Sequence, residues 1–312
     1  VSGSPPTSSE GRNPDAEDEL FDADFLQRLR TLFFKLKRRR QLKKKGAQQT
    51  QATGFTREFK DHRQYTSRDD FRAIDWRLYA RLEKLFIRLY EEIQEYHVHI
   101  LIDTSASMVE PHPGKRIQAL RLAVALSYLS LMNQHRVSIL SFGDTVEQEL
   151  RPLKGQGHIH TILQHLGSME FGGLTDIEAS LARFRPGRDR RGLVFILSDL
   201  FGQDPFATRD ALHQAIRWPA ETHVVHILDP REVRPELDGE VQLIDVETGE
   251  TRRLSLSPAD IDRYAAAVEE FLAELEQSCL SRRIHYTGWF TDQSFEQLFM
   301  TLLSQGSSLA GS

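Results

Sequence analysis

The sequence predicts an α/β domain on a doubly wound, mostly parallel sheet, with a basic helical extension at its N-terminus. Three observations predict it. Short apolar runs, many β-branched, alternate with longer stretches of helical periodicity. The runs are apolar on both faces, as strands covered by helices on both sides must be. Several end abruptly in Asp or Ser, at the carboxyl ends of strands, where open α/β sheets gather their ligands.

The elements follow in order. Val1 to about Leu20 is rich in Ser, Pro, Gly and acids and predicts a disordered tail. Residues 21–45 predict an amphipathic helix, with Phe25, Leu29, Leu32, Phe33 and Leu36 at near-helical spacing. Within it Arg28–Lys45 carries ten Lys or Arg and no acid. Two readings follow. The apolar stripe docks on its own domain and leaves the basic face in water, or the helix binds a membrane surface, nucleic acid or an acidic partner. Residues 46–95 interleave charged and aromatic side chains and lead into a strand at Leu85–Tyr90. Residues 96–305 hold the α/β domain, and 306–312 form a flexible end. Its strands are His97–Asp103, Arg136–Phe142, Gly192–Asp199, His223–Asp229 and Arg283–Thr291. Its helices are Lys115–Asn133, His158–Leu166, Asp176–Phe184, Pro205–Trp218 and Pro258–Ser281. The last starts on Ser257 as N-cap with Pro258 at N1. Val241–Val246 and Thr251–Leu256 flank a turn and predict an inserted hairpin.

One constellation carries chemistry. Asp103, Ser105 and Ser107 set three hard oxygens at the mouth of a buried strand. Gly172-Gly173-Leu174-Thr175-Asp176 is a Gly-rich turn opening a helix, and Leu197-Ser198-Asp199 ends another apolar strand. The topology brings the three loops to one edge, where oxygen ligands suit a hard divalent cation. This pattern resembles the metal-ion-dependent adhesion site of von Willebrand factor type A domains. The resemblance implies Ser105, Ser107 and Thr175 as hydroxyl ligands, with Asp103 and Asp199 binding directly or through water. Mg²⁺ is the expected ion, Mn²⁺ and Ca²⁺ the alternatives. Such a shell leaves a position open for an Asp or Glu of a client protein. Asp103 is expected at an exposed mouth position of little packing value. Asp176 reads as a helix N-terminal acid and Asp229, before Pro230, as a turn residue.

The preceding segment sharpens the resemblance. Glu58-Phe59, Arg63-x-Tyr65, Asp69-Asp70-x-Arg72, Ile74-Asp75-Trp76 and Ala80-Arg81 lie in order before Asp103-x-Ser105-x-Ser107-Met108. The chain resembles the DUF58 family of bacterial proteins, departing from it at Arg68, where Gly is usual. It lacks the membrane-spanning N-terminal helices of longer members and is similar to the short soluble type. The resemblance implies an adaptor for a MoxR-type AAA+ ATPase in the maturation or remodelling of another protein. Asp69, Asp70, Arg72, Asp75, Trp76 and Arg81 are its candidate docking residues. Their structural reading has Trp76 in a core and Asp75 pairing with an arginine or capping nearby backbone.

Enzyme readings find little support. There is no Gly-x-Ser-x-Gly elbow and no His-Glu-x-x-His. Gly114-Lys115 suggests a phosphate loop, but Arg116 follows where Ser or Thr belongs, and Val109 replaces the first Gly. A Mg²⁺-dependent phosphohydrolase working through Asp103 would want a second carboxylate where Ser105 stands. His158, His160 and His165 read as exposed helix residues. The lone Cys279 cannot form an internal disulfide, no run reaches the roughly 18 apolar residues of a membrane span, and no signal peptide is visible. The expectation is a non-catalytic cytoplasmic binding protein.

Overall fold

A computed structural model describes residues 25, 27–32, 57–67, 69–92, 95–143, 149–173, 176–187, 192–202, 205–245 and 249–305. The Val1–Leu20 tail, the basic run beyond residue 32, Arg68 and the 306–312 end lie outside them. The described residues divide into two compact units, one within Arg38–Glu95 and the other within Val1–Lys37 and Tyr96–Ser312.

In the smaller unit β1 (Arg57–Gln64) pairs antiparallel with β2 (Phe86–Glu92), and helix α1 (Trp76–Leu82) lies between them in sequence. The signature residues build the connection. Asp69 accepts from the Thr66 backbone at 2.8 Å and from Arg63 at 2.6 Å. Asp70 caps a 3₁₀ turn over Phe71–Ala73. Asp75 is the N-cap of α1, accepting from the Arg77 and Leu78 amides, and its other oxygen meets His62 Nε2 at 3.0 Å. Each satisfies backbone donors that a tight turn or helix start leaves over. Capping by Asp75 matches the sequence reading, and its carboxylate also meets His62. Core packing of Trp76 does not hold. It is 60 % exposed and meets Tyr79 edge-on, because the inward position is taken by Ile74, buried beside Ile87.

The larger unit holds the predicted sheet. Its strands are β3 (His97–Asp103), β4 (Arg136–Phe142), β5 (Glu149–Lys154), β6 (Gly192–Ser198), β7 (Ala220–Leu228) and, after a separate hairpin of β8 (Gly239–Ile244) and β9 (Thr251–Leu256), β10 (His285–Phe290). Its helices are α2 (Gly114–Met132), α3 (Ile159–Gly167), α4 (Ile177–Arg183), α5 (Pro205–Leu212), α6 (Pro230–Val233), α7 (Pro258–Ser281) and α8 (Phe295–Gln305). The spatial order is β10-β7-β6-β3-β4-β5, parallel except for β5. Sequence reading passed over β5. It carries Pro152, tolerable only on an edge, and the pairing with β4 shifts register between Val137 and Ile139 beside it.

One face of the sheet packs on α2, α3 and α8, the other on α4, α5 and α7. β3 connects to β4 on one side, and the chain later returns to β6 on the other, so the strand order reverses at β3 and β6. That reversal is the switch point where a crevice opens. Helix α2 is buried nearly all round, with Ala119, Leu120, Leu122, Ala123, Val124 and Leu126 fully covered. Part of the cover is the N-terminal helical segment. Phe25 and Leu29 are buried in the same core, Phe25 edge-on to Phe295 at 5.4 Å and under the Arg121 guanidinium. For these residues the stripe docks on its own domain.

Candidate metal centre

The apolar run of β3 carries Asp103 to the sheet end, and the chain turns at once into a 3₁₀ turn over Ala106–Met108. Asp103 Oδ1 accepts from the Ser105 amide at 3.0 Å, and the Ser105 and Ser107 hydroxyls lie 3.0 Å apart. Next door, β6 ends at Ser198. Its hydroxyl donates to Asp103 Oδ2 and accepts from the Leu200 amide at 2.8 Å. Leu200 takes a left-handed φ of 54°, which turns the chain so that the Phe201 amide reaches Asp199 Oδ1 at 3.2 Å. The Gly-rich loop is laced to the first: the Gly172 amide donates to Thr104 O at 2.8 Å, and Gly173 O accepts from the Ala106 amide at 3.2 Å. Positive φ at Gly172 and Gly173 makes that approach possible. Thr175 itself lies outside the described residues. Asp176 is the N-cap of α4, as read from the sequence.

Asp103, Ser105 and Asp199 are fully buried and Ser107 nearly so. The expectation that Asp103 sits exposed at the mouth is therefore corrected. A turn held by its own carboxylate, together with the neighbouring Ser198, closes over it.

The sequence reading missed the cation at this site. Lys115, in the first turn of α2, is 2 % exposed. Its ammonium meets Asp199 Oδ2 at 2.7 Å and also Glu232 Oε1, and lies 5.3 Å from the Phe201 ring centre. Glu232 is placed by a capping box on α6, where Asp229 is the N-cap, Pro230 follows and Glu232 accepts from the Asp229 amide at 2.9 Å. That box is legible in Asp229-Pro230-Arg231-Glu232. Its partnership with a lysine far back in the sequence is not. Behind Asp199, His226 bridges the Asp199 carbonyl at 2.7 Å and Tyr286 at 2.8 Å.

The electrostatics follow from this arrangement. Burial and then the charge of Asp199 push Asp103 up to about 7, against the lowering effect of the Ser198 and Ser105 hydrogen bonds. Burial alone would pull Lys115 down, but Asp199 and Glu232 outweigh it and hold it above the ordinary lysine value. Burial raises Glu232, with Lys115 opposing. Lys115 thus bridges Asp199 and Glu232, while Asp199 and Asp103 repel each other at close quarters. The donor set, two carboxylates and two hydroxyls of hard oxygen, suits Mg²⁺ rather than a softer ion. A cleft of about 420 Å³ opens beside the Asp199 loop, lined by Leu200, Phe201, Tyr264, Val268 and Phe271 among others.

Other candidates fall elsewhere. His158 and His160 are exposed as expected, while His165 is half-buried. Trp76, Arg72 and Arg81 are exposed, whereas Asp69, Asp70 and Asp75 are engaged in local hydrogen bonds. Cys279 is buried, and burial pushes its thiol up to about 12, which makes it inert.

The family model described as "Protein of unknown function DUF58" matches residues 61–272, which span both the signature turn and the three loops. The chain belongs to the DUF58 family. This DUF58 chain is 28% identical over 223 residues to uncharacterized proteins of Mycobacterium tuberculosis and Mycobacterium bovis, covering 70% of its own length and 69% of theirs. Among solved structures it is similar to BatB from Bacteroides thetaiotaomicron (14% identity, TM-score 0.40, 70% of this chain and 100% of that one). It is also similar to the VWA domain of SpRpn10 (15% identity, TM-score 0.39, 66% and 95%). Among the described residues no helix is long and apolar enough to cross a membrane.

Proposed function

We propose that this DUF58 chain is a non-catalytic protein-binding module whose contact depends on a divalent cation, Mg²⁺ first, held by Asp103, Ser105, Ser107 and Asp199. Thr175 is included in the ligand set by resemblance. One observation supports the reading: two buried aspartates, Asp103 and Asp199, stand with the Ser105 and Ser107 hydroxyls at the switch point, close enough that the charge of Asp199 raises Asp103. When bound, the ion supplies an open coordination position for a carboxylate of a client. The apolar cleft beside the Asp199 loop suits a hydrophobic side chain next to that acid. Asp103 and Asp199 hold the charge, Ser198 fixes the Asp103 carboxylate, and Lys115 with Glu232 keeps Asp199 from standing alone when no ion is present.

The family resemblance extends the proposal to an adaptor working with a MoxR-type AAA+ ATPase. The exposed Trp76 and Arg72 next to the capped turns of the smaller unit support a docking role for that segment. The test is capture of the ATPase and of client proteins by the full chain in Mg²⁺ and in chelator. Capture that is lost in chelator supports the reading. Capture indifferent to chelator, with Asp103→Asn capturing as well as wild type, overturns metal dependence.

A further inference from the structure

The opposite end of the sheet carries a second constellation. β7 and β10 are parallel neighbours, and their register sets His285 directly across from His223. Glu221 lies two residues before His223 on β7, hence on the same face. The pairing of β6 with β7 adds Phe195 opposite His223, so three rings form a row across three strands. Phe195 and His223 stack at 4.8 Å, and His223 and His285 at 4.5 Å with planes 13° apart. Glu221 Oε1 lies beside both rings, 3.0 Å from His223 Nε2 and 3.7 Å from His285 Nε2.

Two imidazoles and a carboxylate gathered at one corner are the donor set of a borderline metal. All three ligand atoms lie within 4.8 Å of one another. Zn²⁺ bonds to His nitrogen and carboxylate oxygen at about 2.0–2.2 Å, so tetrahedral ligand atoms stand about 3.3 Å apart. The two Glu–His separations bracket that value, and because the stacked rings carry their in-plane lone pairs side by side, the half-exposed His285 ring has to turn for both nitrogens to share one ion. A hydrogen-bonded His–Glu pair would account for one histidine, and the second imidazole beside the same oxygen supplies a further donor. His223 Nδ1 is buried without a hydrogen-bond partner among the described residues, so the ring's polar contact is the one at Nε2. The His223 side chain is 1 % exposed, Glu221 23 % and His285 37 %, so the corner opens to solvent on the Glu221 and His285 side.

We infer that Glu221, His223 and His285 form a Zn²⁺ site that ties the edge strand β10 to β7 at the amino ends of the strands. Nitrogen donors separate it chemically from the all-oxygen centre around Asp103, and it stands whether or not that centre binds Mg²⁺. β10 is an edge of the sheet, held laterally by β7 alone among the described strands, so a metal clip there anchors the part of the sheet with least support.

The test uses the full chain without a histidine tag, stripped by chelator and titrated with Co²⁺ in excess Mg²⁺. One equivalent giving the visible bands of tetrahedral Co²⁺, displaced by Zn²⁺, is the expected result. His285→Asn, at the half-exposed corner, is expected to fold as wild type by circular dichroism and to weaken Co²⁺ binding by more than about 100-fold, beyond the usual loss from an outer-shell change. Glu221→Gln is expected to act in the same direction, and Asp103→Asn to leave the titration unchanged. Absence of tetrahedral bands in the wild type overturns the site. So does a titration that His285→Asn and Glu221→Gln leave unaltered.

Discussion

Replacing Lys115 by Met tests the electrostatic heart of the candidate centre. Met matches the length of the aliphatic stem, so little packing is lost and the charge is what changes. In the folded chain the lysine is 2 % exposed and touches Asp199 at 2.7 Å and Glu232. Removing one partner of a buried ion pair strands the other and costs about 3–5 kcal/mol. Burial already raises Glu232, so that acid can take up a proton, and the expected loss lies near the lower end, about 3 kcal/mol. The same substitution removes the cation that competes for Asp199. A divalent ion should bind the variant more tightly and restore stability by about 2.7 kcal/mol at a hundred times its Kd. The assay is urea unfolding of both proteins, in chelator and in saturating Mg²⁺. A loss below about 1 kcal/mol in chelator would refute the buried ion pair. An equal loss with and without Mg²⁺ would refute the idea that lysine and metal share Asp199.

Asp103→Asn keeps the shape of a side chain that accepts from Ser105 and Ser198 and removes its repulsion with Asp199. Its unfolding temperature in chelator is expected to stay close to wild type, while the rise on adding Mg²⁺ disappears; a persisting Mg²⁺ shift in scanning calorimetry would contradict the assignment. Phe25→Ala is expected to cost about 3 kcal/mol in urea unfolding, because the ring is buried against Phe295 and Arg121. A change under about 0.5 kcal/mol would mean that the N-terminal segment is undocked in solution. His99 is buried, against the tilted ring of His97 and edge-on to Phe184, and burial followed by the charge of His97 pulls it down to about 3. Below its ordinary value of 6.5 the unfolded chain takes up a proton that the folded chain refuses, so stability falls as pH drops from there toward 3. The expected loss is about 2 kcal/mol by pH 5, and His99→Gln should flatten that part of the stability profile.

Much of the sheet was legible because a strand buried on both faces has to be apolar throughout. β3 and β4 match their sequence bounds residue for residue, and α7 begins where Ser257 and Pro258 mark a cap and a first turn. The three loops were legible for the related reason that polar residues at the end of an apolar run have few other uses. Where the rule is weaker, the reading failed. β5 is half-covered and broken by Pro152, so its pattern is neither alternating nor continuous. Trp76 looked like core, since a large aromatic usually is, but Ile74 had taken the inward place. The partners of charges were out of reach altogether. Sequence decides that Lys115 starts a helix and that Glu232 closes a capping box. Only the packing of α2 against the ends of β6 and β7 makes them one ion pair. Likewise Glu221, His223 and His285 become neighbours through the parallel register of β7 and β10. Periodicity is a local property of the chain and can be read along it, whereas register and the pairing of buried charges depend on which distant segments the core brings together.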